Sequence, residues 1–381
     1  MSREEVVVIG GGPGGLAVAG ALKRSGVDAL VVEQESALGA SWRRHYDRLH
    51  LHTARWLSGL PGFGIPRSYG RWVSREDFVA YLEEYAKRLR LNVRTGTAIE
   101  RIEEDPDGWR LRIAAGDIVA RTVVVATGYN RVPEVPDWPG WEKFEGSVVH
   151  AADYRNGTPY RGRSVLVVGS GNSGTEIAVD LVESGAGRVY ISVRTPPNIQ
   201  RRAVLGLPTQ VIGVLVSRLP GPVIDRLSLV LQARAIGSLE KFGLPAPTRG
   251  VYSRVTQDEQ IPVIDVGFLD AIRRGEVAVV PGVERFEGTD VVLEGDRRLT
   301  VDDVVAATGY RRGLERLVGH LGVLRPNGRP FVNGADTLPE RPRLHFIGFT
   351  NPLGGNLREM AIDARRIAVR VRATARLAMP G

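Results

Sequence analysis

Two glycine turns of one form constrain this chain more than any other feature: Gly10-x-Gly12-x-x-Gly15 and Gly169-x-Gly171-x-x-Gly174. Each lies between a run of β-branched residues and a helix-forming segment, and each is followed by a second apolar strand. In such a unit the first glycine permits a sharp reversal and the second lets the backbone approach a pyrophosphate. The third lets helix and strand pack closely. The helix start adds free N–H groups and the positive end of the helix dipole. In the first copy Pro13 and Gly14 complete the turn, and the second strand ends at Glu33, whose carboxylate can accept hydrogen bonds from adenosine ribose hydroxyls. In the second copy Asn172 and Ser173 fill the turn. Ser192 stands at the register position of Glu33, and Arg194 lies two residues on. A carboxylate repels a 2′-phosphate, whereas a hydroxyl and a guanidinium bind one. The first site therefore reads as an FAD site and the second as an NADPH site, with hydride passing from NADPH to flavin.

The fold expected is α/β, with two Rossmann-type dinucleotide-binding domains and the NADPH domain inserted in the FAD domain. Residues 97–127 alternate apolar and polar around turn signals, as a small β-meander does, and end in Ala126, Thr127 and Gly128. A near-copy of that ending recurs after a second β-rich stretch and contains Thr308 and Gly309. Such strands return the chain to the flavin domain. The expected order is residues 1–157 as the first part of the FAD domain, 158–310 as the NADPH domain, and 311–381 as the C-terminal part of the FAD domain. Residues 195–262 read as a helical excursion from the NADPH domain, with several prolines and many arginines.

A length of 381 residues suits two domains. The chain has no cysteine, which excludes disulfides, thiolate metal sites and dithiol redox chemistry. No metal-ligand cluster is evident. The formal net charge of +8 comes from 51 basic residues, nearly all Arg, scattered singly or in pairs. A codon-level preference for Arg accounts for this, and nucleic acid is not an expected partner. Attraction of an anionic substrate, a membrane surface or a polyanion is the remaining reading. The apolar stretch 205–236 is interrupted by Arg218, Pro220, Pro222, Asp225, Arg226 and Arg234, so no transmembrane segment is expected. The chain lacks a signal-peptide layout at its start; a cytoplasmic protein is expected, and a homodimer is compatible with it.

Between the fingerprints, Phe144, Gly146, His150 and Tyr154 fill the pattern FxGxxxHxxxY, which resembles the identifying motif of flavin-containing monooxygenases. Baeyer–Villiger enzymes usually carry Trp at the last aromatic position, where this chain has Tyr154. Without the family, His150 reads as a packed linker histidine within a domain-hinge element. The strings ASWRRHYDRLHLHT (40–53), VVGSGNSGTEIAVDL (167–181), IPVIDVGFLDAIRRGEV (261–277) and FIGFTNPLGGNLREMAIDARRIA (346–368) are similar to the plant YUCCA-type enzymes that oxidise indole-3-pyruvate.

That resemblance implies an FAD- and NADPH-dependent monooxygenase that forms a flavin-hydroperoxide. One oxygen atom of O2 would then enter a small organic substrate by N-, S- or 2-oxo-acid oxidation. It implies that Glu33, Trp42 and Arg43 hold the FAD adenosine and isoalloxazine edges. Asn351 and Leu353 would add cofactor contacts, with His52 and Asn351 catalytic. Animal and yeast relatives carry an Asn near position 52; here His52 or His50 stands there, so the Asn role need not carry over. Gly348-Phe349 replaces the Gly-Asp pair of many flavoproteins. An NADPH-dependent flavin reductase or oxidase without oxygen insertion is the alternative reading, and a nucleotide-sensing protein is a third.

Overall fold

The computed structural model describes residues 2–377, and the chain divides into two compact units. The first gathers the residues up to Arg43, Thr53–Val132 and those from Tyr310 onward; the second gathers Arg44–His52 and Pro133–Gly309. The first unit's opening part thus ends at Val132 rather than at 157. The reason is a strand, Ser147–His150, that pairs in parallel with Asp303–Ala306 and so belongs to the second sheet. The short segment Arg44–His52 also departs from expectation. It is tied to the second unit where Asp47 N donates to Arg155 O (2.8 Å) and Asn156 Nδ2 donates to Asp47 Oδ2 (2.8 Å).

In the first unit the strands are β1 (Ser2–Ile9), β2 (Leu30–Val32), β3 (Asn92–Arg94), β4 (Arg101–Asp105), β5 (Gly108–Arg112) and β6 (Ile118–Val125). They lie in the order β3-β2-β1-β6-β5-β4, and the late strand Leu344–Phe346 also joins β6. β1, β2, β3 and β6 are mutually parallel, and the Val and Ile residues of β1, β2 and β6 are buried on both faces, as a helix-covered parallel sheet requires. One edge of β6 is shared: Ile118–Ala120 pair antiparallel with β5, and Val123–Val125 pair parallel with Leu344–Phe346. The meander read at 97–127 is therefore β4-β5-β6, with its last strand built into the main sheet.

Helix α1 (Pro13–Arg24) packs on the long helix Asn356–Leu377. On the sheet's other face Leu314, Leu317, Val318, Leu321 and Phe349 join the core of β1, β5 and β6 side chains. Burial of these apolar groups, at about 25 cal/mol per Å2, fastens the C-terminal segment to the first unit.

The second unit carries a five-stranded parallel sheet in the order Val277–Val280, Arg188–Ser192, Ser164–Val168, Asp303–Ala306, Ser147–His150. An antiparallel meander over Val283–Glu287, Asp290–Leu293 and Arg297–Thr300 packs, with Trp138 and Phe144, against Leu166, Val168 and Val304 of that sheet. The excursion at 195–262 is not purely helical. It opens with the strand Ile199–Arg201, paired to Val263–Asp265, and a hairpin of Ala203–Val204 with Leu207–Pro208. The helices Thr209–Val216, Gly221–Ile236 and Val251–Gln257 follow.

Candidate functional site

The two glycine turns share one geometry, although they are built in different units. Gly10 has φ +114° and Gly169 φ +112°, a region that L side chains rarely adopt. A Cβ on Gly10 would stand 2.4 Å from Ala126 O, and one on Gly169 would stand 2.5 Å from Ala307 O. A Cβ on Gly15 or Gly174 would stand 1.9 Å from the oxygen of the first glycine of its own turn. Backbone contacts thus dictate the first and third glycines. The middle ones differ: a Cβ on Gly12 or Gly171 would meet nothing within 4 Å. Gly12 (φ −85°) and Gly171 (φ −76°) are also extended, so neither space nor strain demands glycine there. Each is the N-cap of its helix, with no side-chain cap and no acidic residue in the first turn. What remains is a cradle of uncapped N–H groups at a positive dipole end, open to a phosphate.

In the first unit Glu33 is buried at the carboxyl end of β2. Its Oε2 accepts from Gly11 N (2.6 Å) and its Oε1 from Glu35 N (2.9 Å). A carboxylate has about four acceptor positions, so two stay available for ribose hydroxyls. Arg131, which sequence reasoning missed, lies within the field of Glu33; burial holds its guanidinium below the usual arginine range. Ala126, Thr127 and Gly128 follow β6 directly beside Gly10, and Thr127 Oγ1 is buried without a hydrogen-bond partner. That orphaned hydroxyl and the open cradle at Gly12 fit a bound dinucleotide. Pro13 starts α1, and Gly14 faces Ile347 and Met360 rather than the turn. Trp42 packs edge-on against Phe78 (4.5 Å between centroids), and Arg43 pairs with Glu83 and donates to Leu38 O (3.0 Å). Asn351 and Leu353 lie, half-buried, in the loop between Leu344–Phe346 and Asn356–Leu377. Phe349 is buried against Phe346, which explains its place in Gly348-Phe349.

In the second unit Asn172 spends its amide on structure. Nδ2 donates to Pro262 O (3.1 Å) and Oδ1 accepts from Ile264 N (2.8 Å), fixing the base of the excursion to the helix Asn172–Glu183. Ser192 is buried, and its hydroxyl donates to Pro281 O (2.8 Å). Arg194 is exposed and has no partner among the described residues. Thr308 donates to Glu134 O, and Gly309 O accepts from Glu134 N (3.1 Å).

The four motif positions are all structural. Phe144 packs on Phe286 (5.2 Å), and a Cβ on Gly146 would stand 2.3 Å from Asp302 O. His150 Nδ1 accepts from Ala152 N (3.0 Å), which leaves Nε2–H to donate to Gly309 O (3.1 Å). Burial lowers its pKa and keeps it neutral. Tyr154 donates to Asp180 Oδ2 (2.5 Å) on the glycine-turn helix. The motif staples the edge strand, the Thr308-Gly309 turn and that helix into one body.

His52 is held by a group that the sequence reading missed. Its Nε2 lies 2.9 Å from Glu176 Oε1, inside the second unit, and its Nδ1 is buried without a partner. Glu176 is 2% exposed. Tyr46 donates to it and accepts from Ser173, and burial pushes the Tyr46 phenol well up. Arg202 completes the surround; burial takes its guanidinium down to about 10, against the pull of Glu176, and Nη2 donates to Leu51 O (2.5 Å). The one sequence signal was an acid amid the apolar run of a helix that had to pack on a sheet. His50 is exposed, its Nδ1 2.8 Å from Arg48 O. His52 and Asn351, the two residues read as catalytic, belong to different units.

The chain is similar to known proteins over nearly its whole length. Residues 7–205 match the pyridine nucleotide-disulphide oxidoreductase family. The chain is 33% identical over 375 residues to a probable indole-3-pyruvate monooxygenase, YUCCA8, of Arabidopsis thaliana, covering 95% of this chain and 87% of that protein. It is 36% identical over 350 residues to the indole-3-pyruvate monooxygenase YUCCA1 of rice (Oryza sativa subsp. japonica), covering 90% and 86%. Among solved structures, a flavin-containing monooxygenase from Stenotrophomonas maltophilia superposes with a TM-score of 0.73 at 26% identity, covering 98% of this chain and all of that one. Cyclohexanone monooxygenase, at 17% identity, a TM-score of 0.75, and 99% and 89% coverage, shares the fold.

Proposed function

The chain belongs to the flavin-dependent monooxygenases of the pyridine nucleotide-disulphide oxidoreductase family and uses FAD and NADPH; from that premise we propose that its substrate is a small 2-oxo acid of the indole-3-pyruvate kind. The carrying observation is likeness to indole-3-pyruvate monooxygenases over nearly the whole chain. FAD is assigned to the first unit, where Gly12 leaves the cradle open, Glu33 keeps acceptors for the ribose and Thr127 offers a free hydroxyl. NADPH is assigned to the second, where no carboxylate stands at the Glu33 register and Arg194 is free to meet a 2′-phosphate. Bound there, the flavin supplies two-electron redox chemistry and activation of O2. His52 is backed by Glu176 in this reading. Its Nε2 lies 2.9 Å from that carboxylate, and the buried Nδ1, without a partner, is left to meet a polar group of a ligand.

The test is oxygen uptake and product analysis with NADPH across 2-oxo acids, amines and sulfides. Indole-3-pyruvate is expected to give one oxygenated product per NADPH consumed, and His52→Ala to lower that ratio. Oxidation of amines or sulfides alone would replace the 2-oxo acid. NADPH consumption yielding only peroxide with every compound would favour a reductase or oxidase.

Arg194→Ala is expected to weaken NADPH binding about thirtyfold, as loss of a charge-assisted phosphate contact of about 2 kcal/mol does, and to leave NADH nearly unchanged. Steady-state flavin reduction by both nucleotides measures this. An unchanged NADPH/NADH ratio would remove Arg194 from the site and point to Arg201 or Arg202.

A further inference from the structure

Fourteen large apolar side chains stand exposed among the described residues, and nine of them lie between Val204 and Leu231, all within the excursion. The helix Gly221–Ile236 leaves an apolar stripe uncovered. Three of its polar residues face the unit: Asp225 Oδ1 accepts from Ser253 N (3.0 Å), Ser228 Oγ from Val251 N (3.1 Å) and Gln232 Oε1 from Ile199 N (3.1 Å). Ile224 and Ile236 are buried, whereas Val223, Leu227, Val230 and Leu231 face outward, between 40% and 50% exposed. These positions, with exposed Arg226 and Arg234, recur at three and four residues and so form one stripe. The preceding hairpin repeats the pattern. Leu205 sits at its tip with φ +47° and 99% exposure, a conformation that disfavours a branched apolar side chain and gains nothing from burial.

Charge decides what covers such a face. Between residues 201 and 239 the exposed basic side chains are Arg201, Arg218, Arg226 and Arg234, Arg202 being taken up beside Glu176, and the single acid, Asp225, is turned inward. A second copy is disfavoured, because antiparallel pairing about Val230 would set Arg226 against the second copy's Arg234 with no acid to separate them. Apolar stripes rimmed by arginine suit a surface that is apolar beneath and anionic at its headgroups, where arginine stems reach up to the phosphates. No helix among the described residues is long and apolar enough to cross a membrane, so the contact would be an interfacial one. We propose that the excursion is a docking surface for an anionic lipid bilayer, on which the enzyme rests by Leu205, the Val223–Leu231 stripe and its arginines.

The experiment is sedimentation of the flavin-loaded full chain with vesicles of phosphatidylglycerol and phosphatidylcholine, and with phosphatidylcholine alone. The protein is expected to pellet with the anionic vesicles and largely to stay in solution with the neutral ones. Val230→Asp with Leu231→Asp should abolish pelleting, and Arg226→Ala with Arg234→Ala should weaken it about thirtyfold, as two lost arginine contacts predict. Flavin content and NADPH oxidation should match wild type in both; if the aspartate pair fails to load flavin, Leu205→Asp at the hairpin tip gives the readout instead. Wild type that ignores anionic vesicles, or variants that pellet as wild type does, would overturn the proposal. So would a solution dimer that the aspartate pair splits, which would give this face to a second copy.

Discussion

Gly12→Val is expected to yield a folded protein that purifies without flavin. The backbone at Gly12 is extended (φ −85°), which any residue adopts, and a Cβ there meets no atom within 4 Å. The apoprotein therefore gains a side chain at little cost. That side chain stands over the uncapped start of α1, in the volume a pyrophosphate needs, and overpacking of that kind is expected to weaken FAD binding about a hundredfold or more. Gly15→Val is the contrasting control: its Cβ would lie 1.9 Å from Gly10 O, so the turn itself fails. Visible flavin absorbance and thermal unfolding, measured together, separate the two cases. A yellow, stoichiometrically loaded Gly12→Val protein would remove FAD from the first unit.

Gly171→Val repeats the substitution in the second unit, where the surroundings are equally open. This variant is expected to keep its flavin, to be bleached by dithionite, and to be reduced by NADPH at least about a hundredfold more slowly at a fixed, subsaturating concentration. Normal reduction by NADPH, or loss of flavin instead, would mean that the two cofactors are assigned to the wrong units.

Much of this architecture was legible because glycine turns act through backbone geometry, which sequence spacing encodes directly. Gly10 and Gly169, Gly15 and Gly174 are fixed by contacts a few residues or one strand away. Tertiary placements were not legible. Nothing periodic in Arg44–His52 says that it joins the second unit; Tyr46 and Asp47 do this through single contacts to Glu176 and to residues 155 and 156. Asn172, read as part of the second cofactor-binding turn, clamps Pro262 and Ile264, an exchange only folded backbone can offer. The helix Gly221–Ile236 has the helical period, but period alone does not say which face turns inward. Its hydrogen-bonded Asp225, Ser228 and Gln232 decided that.

The shared edge of β6 carries a consequence for how the chain is assembled. Val123–Val125 finds its partner in Leu344–Phe346, and Leu314–Phe349 supply part of the core over the first sheet. On a ribosome those residues emerge after the whole of Pro133–Gly309. The interrupting unit can therefore mature while the unit that starts the chain is still unfinished, with three apolar edge residues unpaired in the meantime. Closure of so distant a pair is slow, and an open valine edge invites pairing with another chain. A nascent chain arrested before residue 344 holds this valine edge bare, and completion of the last strand is the event that covers it.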